Sequence, residues 1–139
     1  MFNDIYKNKK ILITGNTGFK GSWLSTWLLN LGANVYGYAN DIPSKPSMFE
    51  VLELNNRMVS INGDVRDIKH LEKNINQIKP DFIFHLAAQA LVSVSYSSPI
   101  DTITTNVVGT ANILESIKNI KNECVCVIIT SDKCYDNLE

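Results

Sequence analysis

Five short apolar runs, each separated from the next by a stretch with helical spacing, restrict this chain to a narrow group of folds. The runs are Lys10 to Thr14 (KILIT), Ala33 to Tyr38, Met58 to Ile61 (MVSI), Asp81 to His85 (DFIFH) and Cys124 to Thr130. Their length and continuity predict strands buried on both faces. After the first run, Phe19, Trp23, Leu24, Trp27, Leu28 and Leu31 share one helical face closed by Gly32, so Trp23 and Trp27 are expected in the core. A loop and a short helix are expected over 42 to 56, the latter within FEVLELNN. Ile68, Leu71, Ile75 and Ile78 mark the next helix, which Pro80 ends. Ser98 is positioned to cap a long helix with Pro99 first, Asp101 in the first turn and an apolar face of Ile100, Ile103, Val107, Leu114 and Ile117. Parallel strands need crossover helices, and those helices hide both sheet surfaces. The prediction is a doubly wound α/β domain with a parallel, Rossmann-type sheet of about five strands. Ligands in such sheets lie beyond the carboxyl ends of the strands.

Composition narrows the ligand. A formal charge of -1 gives no general attraction to nucleic acid or anionic lipid, so whatever binds is held by local geometry. The segment MFNDIYKNKK lacks the apolar stretch of a signal peptide, and no run approaches the ~20 apolar residues a spanning helix needs. A cytoplasmic location is the expectation. Three cysteines argue against a disulfide framework, and Cys124 and Cys126 face one way on their strand as small apolar residues do. Neither His70 nor His85 has a partner at metal-ligand spacing, so no metal site is expected.

The strand ends carry the chemistry. After the first strand, TGNTGFKGSW places Gly15, Gly18 and Gly21 between strand and helix. The first glycine allows a sharp turn, the second lets a pyrophosphate approach the backbone, and the third lets helix pack on strand, with unpaired N–H groups at the helix start. After the second strand, the position usually acidic in dinucleotide sites is Ala39. Asp41 could take the ribose contact or be a solvated loop residue. Lys45 is the nearby cation, and no arginine awaits a 2'-phosphate, which leans towards NAD over NADP. After the third strand, Asp64 can accept from an adenine amine, while Asp67 suits a helix cap. After the fourth, Ala87 and Ala88 are small enough for a cofactor to lie against the backbone.

Together TGNTGFKG, GDVRD, HLAAQ and TNVVGT resemble the extended short-chain dehydrogenase/reductase family of nucleotide-sugar enzymes, and GFKGSW, HLAAQALV and TSDKCY are similar to its 4,6-dehydratases. The resemblance implies NAD held by Gly15, Thr17, Gly18, Phe19, Lys20, Gly21, Asp64, Val65, Leu86, Ala87, Ala88, Gln89 and Asn106. It implies CDP-glucose as substrate, and a lyase reaction giving a 4-keto-6-deoxy sugar for dideoxyhexose synthesis. Ser131 would bond the sugar C4 oxygen, Asp132 would act as acid and Lys133 as base. Related dehydratases carry Asp-Glu at these last two positions. Such a reaction needs opposed proton-transfer groups, because a C5 proton leaves while the C6 hydroxyl is protonated. In water the ionised Asp-Lys pair is favoured over the neutral pair by roughly 6.5 pKa units, about 9 kcal/mol. Desolvation shifts one group by about 3–5 units, so both must shift, as a coupled pair, once ligands exclude water. Both can meet substrate only if the strand has ended by about Ser131.

The family's Tyr-x-x-x-Lys helix has no counterpart here, since Tyr135 is followed four residues on by Glu139. The reading is an N-terminal dinucleotide-binding part spanning 1–139, competent at most for weak cofactor binding. An uncovered fifth strand presents an apolar edge, so self-association there, or a homodimer, is expected. An NAD-dependent epimerase or reductase, or a dinucleotide-binding module without chemistry, is the alternative.

Overall fold

The computed structural model describes residues 2–131 and 136. Five parallel strands form one sheet: β1 (Lys10–Thr14), β2 (Asn34–Ala39), β3 (Val59–Asn62), β4 (Phe82–His85) and β5 (Val125–Ile128), in the order β3-β2-β1-β4-β5. The chain starts in the middle, winds outward to β3, then crosses back to lay β4 on the other side of β1. The doubly wound prediction holds, with each strand within a residue or two of its expected bounds. Ile11, Leu12 and Ile13 of β1 are fully buried, as a strand covered on both faces requires.

Helices α1 (Phe19–Asn30), α2 (Met48–Val51), α3 (Leu54–Arg57), α4 (Ile68–Ile78), α5 (Val92–Ser97), α6 (Pro99–Ile103) and α7 (Gly109–Lys118) cover the sheet, with a π-helical turn, Thr104–Val108, joining α6 to α7. On one face α4 and α7 close a core of Leu12, Tyr38, Leu71, Ile75, Ile83 and Ile113. On the other, α1 brings Leu28 onto Ile11, Ile13 and Val35. Cys124 and Cys126 pack against the first of these cores, as their spacing predicted. Burial pushes the Cys124 thiol up to about 11, so it stays protonated at neutral pH.

Helix α4 matches its prediction, with Leu71, Ile75 and Ile78 buried and the Asp67 carboxylate accepting the His70 N–H at 3.1 Å. Four other expectations need correction. Helix α1 buries Gly21, Ser22, Ser25 and Leu28, whereas Phe19 (70%), Trp23 (55%) and Trp27 (48%) are exposed. Trp23 and Trp27 are therefore not core residues; Trp27 instead meets Phe2 edge to face, with centroids 5.5 Å apart. The long helix runs unbroken from α6 through the π turn into α7, but its face differs from the predicted one: it buries Gly109, Ile113 and Ser116 and packs Ile117 on the core, while Ile100, Ile103, Val107 and Leu114 face outward. Gly109 explains the choice of face: a Cβ there would lie 2.6 Å from Val65 Cγ2. Ser98 makes no side-chain cap; α5 ends on it, and its N–H is given to the Val94 carbonyl at 2.8 Å. The single short helix expected near 48 to 56 is two, separated by Glu53 in a left-handed conformation.

Candidate functional site

The sheet order reverses between β1 and β4, and a crevice must open where the two following segments part. A cavity of about 190 Å³ lies there. Gly15, Thr17 and Gly18 form one wall, Leu86, Ala87 and Ala88 the floor, and Asp64 and Val65 the far end. These eight residues of three separate loops are the predicted ones that the fold brings together. Gly15 has φ +71°, and a Cβ on it would stand 2.9 Å from the Ala87 nitrogen, so turn and close approach both require glycine. At Gly21 a Cβ would fall on the Gly15 carbonyl oxygen, at 2.1 Å, which makes it the contact letting α1 press against the loop. Helix α1 begins at Gly18 without a side-chain cap, leaving first-turn N–H groups beside the cavity.

The other predicted residues stand outside the cavity wall. Phe19 and Lys20 are exposed on the first turn of α1, where the feature they bring near the loop is backbone N–H. Gln89 and Asn106 hold each other: Gln89 N–H donates to Asn106 Oδ1 at 2.8 Å, and Asn106 Nδ2 donates to the Gln89 carbonyl at 3.0 Å. Gln89 Nε2 also donates to Thr102 Oγ1 at 3.0 Å. Both amides thus tie the segment after β4 to the helices above it. Ser131 is exposed beyond the end of β5, and Asp132 and Lys133 lie outside the described residues. Strand pairing assigned to β5 ends at Ile128, which meets the condition that alternation must have stopped by Ser131.

Beneath the crevice runs a polar chain that no short-range spacing reveals. Thr14 Oγ1 accepts the Leu86 and Ala87 N–H groups, each at 3.1 Å, so its one proton goes to His85 Nδ1 at 2.7 Å. His85 is then the Nε2–H tautomer and donates to Thr110 Oγ1 at 3.1 Å, which donates to the Asn106 carbonyl at 2.7 Å. Burial lowers the His85 pKa to about 4, which keeps the ring neutral and the chain of bonds intact. The chain joins the floor of the crevice to α7 through groups that are mostly buried.

The far end is equally braced. Tyr38, fully buried, donates its hydroxyl to the Asp64 carbonyl at 3.2 Å and meets His70 Nδ1 at 3.0 Å. Burial, reinforced by Asp67 and Asp64, pushes the Tyr38 phenol up to about 12. The side-chain hydrogen bond from Arg66 holds the Asp64 carboxyl below the usual carboxylate range. Asp41 spends Oδ1 on the Ile42 N–H at 2.7 Å, and its carbonyl accepts from Thr17 Oγ1, which links the glycine turn to the loop after β2. A second cavity of about 690 Å³ adjoins this loop, lined by Asn40, Asp41, Glu50 and Glu53 among others and, among the described residues, by no lysine or arginine. Tyr38, Asn40 and Arg66 were missed by sequence reasoning; the RD of GDVRD was the available signal for Arg66. Asn16, in the glycine turn, fills the space above Gly37 and is fully buried, with neither amide atom bonded to any of the described residues.

A glycine turn, an uncapped helix start and a crevice at the strand-order reversal define a Rossmann-type α/β domain. Residues 12–139 match the family model described as GDP-mannose 4,6 dehydratase, and the chain belongs to that family. It is similar to CDP-glucose 4,6-dehydratase of Salmonella typhimurium, with 52% identity over 98% of this chain and 38% of that protein. Among solved structures it resembles the epimerase Mth375 of Methanothermobacter thermautotrophicus, with TM-score 0.80, 28% identity, and coverage of 97% of this chain and 39% of that one. It also resembles the UDP-glucose 4-epimerase of Thermus thermophilus in complex with NAD, with TM-score 0.71, 29% identity, and coverage of 80% and 34%. The chain thus spans well under half the length of these relatives.

Proposed function

We propose that residues 1–139 are the dinucleotide-binding part of an NAD-dependent nucleotide-sugar 4,6-dehydratase acting on CDP-glucose. The observation that carries this reading is the cavity at the β1/β4 reversal, in a chain 52% identical to a CDP-glucose 4,6-dehydratase over 98% of its length. The residues present suit the cofactor. Gly15 and Gly18 let a pyrophosphate approach the backbone, and the first-turn N–H groups of Phe19, Lys20 and Gly21 offer it donors. Leu86, Ala87 and Ala88 give a flat floor, kept in register by Gln89 and Asn106. Thr17 closes the near wall, and Asp64 and Val65 receive the adenine. The carboxylates of Asp41, Glu50 and Glu53 beside the second cavity disfavour a 2'-phosphate, in keeping with NAD.

NAD held there would supply a hydride acceptor for the oxidation at sugar C4 and a hydride donor for C6. In this reading Ser131 bonds the C4 oxygen, whose hydroxyl proton passes to the tyrosine of the family's Tyr-x-x-x-Lys helix; Lys133 takes the C5 proton and gives it back to C5 when C6 is reduced, and Asp132 protonates the departing C6 hydroxyl, releasing water. The product is CDP-4-keto-6-deoxyglucose. The test is to give the intact protein NAD and CDP-glucose and follow the ultraviolet absorbance of a 4-keto sugar in base. Appearance of the signal is expected. Undiminished dehydration by Lys133→Met would remove the lysine from the scheme. An epimerase is the second reading, favoured by the epimerases among the fold neighbours; it would give a C4 or C2 epimer and no 4-keto product.

The reading includes a cytoplasmic location and self-association as a homodimer. Light scattering that stays strictly monomeric at high protein concentration would count against the association.

A further inference from the structure

Asp64 is read above as the acceptor for the adenine amine, yet its carboxylate is already engaged. Oδ1 accepts the Arg66 backbone N–H at 2.9 Å and Arg66 Nε at 3.0 Å. Oδ2 accepts Arg66 Nη2 at 2.6 Å and Nε at 3.0 Å, and faces Asn40 Nδ2 at a long 3.4 Å. A carboxylate has about four acceptor positions. Arg66 supplies three hydrogens, the Nε–H being shared evenly between the two oxygens, so one of the four positions remains, the one on Oδ2 that Asn40 occupies weakly. Asn40 also lines the cavity, so that position opens inward.

The guanidinium that sets this orientation is itself anchored. Its Nη1 donates to Asp101 Oδ1 on α6 at 2.9 Å. The backbone it belongs to is pinned by Asn112 Nδ2, which donates to the Val65 carbonyl at 2.9 Å and the Arg66 carbonyl at 3.2 Å. Together with the Tyr38 bond to the Asp64 carbonyl, this leaves the carboxylate little freedom to turn.

We propose that Arg66 is a positioning residue for base recognition: it turns the Asp64 carboxylate so that Oδ2 alone is offered to the exocyclic amine of a purine, with Asn40 holding that place until the base arrives. The proposal rests on the dinucleotide reading of the cavity. It depends on the planar fork of arginine, which grips both oxygens side-on as a lysine ammonium does not. A base carrying a carbonyl in place of the amine would set acceptor against acceptor and be rejected.

The test uses the intact protein, its Arg66→Gln and Arg66→Lys variants, and two probes, NAD and nicotinamide hypoxanthine dinucleotide, with melting curves to verify that each variant is folded. The parent is expected to bind NAD tighter than the hypoxanthine form by about tenfold or more, the range for a hydrogen bond to a charged group. In both variants that ratio is expected to fall to within about twofold of unity, with the hypoxanthine form binding as before. A parent that binds neither probe would remove the dinucleotide reading and the proposal with it. A parent that binds both equally would leave the dinucleotide reading but remove Asp64 as a base contact. A parent preference retained or increased in either folded variant would overturn the role of Arg66 alone.

Discussion

Helices α1 and α4 cover the same sheet from opposite faces by opposite means. Helix α4 buries Leu71, Ile75 and Ile78 and exposes its polar side, so its sequence periodicity reports its packing. Helix α1 buries Gly21, Ser22 and Ser25 along with Leu28 and turns Phe19, Trp23 and Trp27 outward. The difference lies in what each helix must approach. Helix α4 touches strands through their side chains, at ordinary distance. Helix α1 must press its first turn onto the backbone of the glycine turn, with no room for a Cβ at Gly21. Small residues allow that approach, so the cofactor side of the sheet trades apolar contact for proximity.

The comparison breaks most visibly in α4. Ile75→Ala is expected to cost about 2–5 kcal/mol of stability and leave dinucleotide affinity of the folded protein unchanged. Denaturant melts and calorimetric titration of the same samples check it, and a parallel loss of affinity would mean the two faces are not independent.

Acid tests the polar chain between the faces. The His85 pKa of about 4 lies below its ordinary 6.5, so in that interval the unfolded chain binds a proton that the folded chain does not. Stability therefore falls as pH drops from about 6.5 to about 4, by about 3 kcal/mol for the full shift, and is fully present above 6.5. Denaturation midpoints between pH 7.5 and 4.5 follow the loss, and His85→Gln is expected to remove that part of the slope.

Gly21→Ala sharpens the contrast from the α1 side. The added Cβ meets the Gly15 carbonyl, and a penalty of about 1–3 kcal/mol is expected, accompanied by loss of dinucleotide binding because the helix start is pushed from the crevice. A variant that loses stability yet binds as before would detach this glycine from the site. The smallest effect is expected at Trp23→Gln, below about 0.5 kcal/mol by thermal melt, since the indole lies on the exposed side of α1.

Much of the site was legible where backbone geometry selects the residue. Gly15, Gly18, Ala87 and Asp64 could be located from strand ends alone, because a tight turn or a close approach admits few residue types. The Asp67 cap was legible for the same reason, being satisfied three residues away. The partners that fix those residues were not. Arg66 reaching Asp101, Thr14 reaching His85, and Asn106 reaching Gln89 each join distant parts of the chain, and no periodicity encodes them. Gln89 and Asn106, expected at the cofactor, grip each other.

The order of apolar runs and turns in the sequence determined a parallel sheet with its crevice at the reversal, since strand periodicity and crossover handedness leave few other arrangements. Only the tertiary structure decided which face of α1 and α7 turns inward and how the Asp64 carboxylate is aimed. Those choices depend on close contacts between segments far apart in the chain, at Gly21 on Gly15 and Gly109 on Val65, and a contact of that kind exists only once both partners are in place.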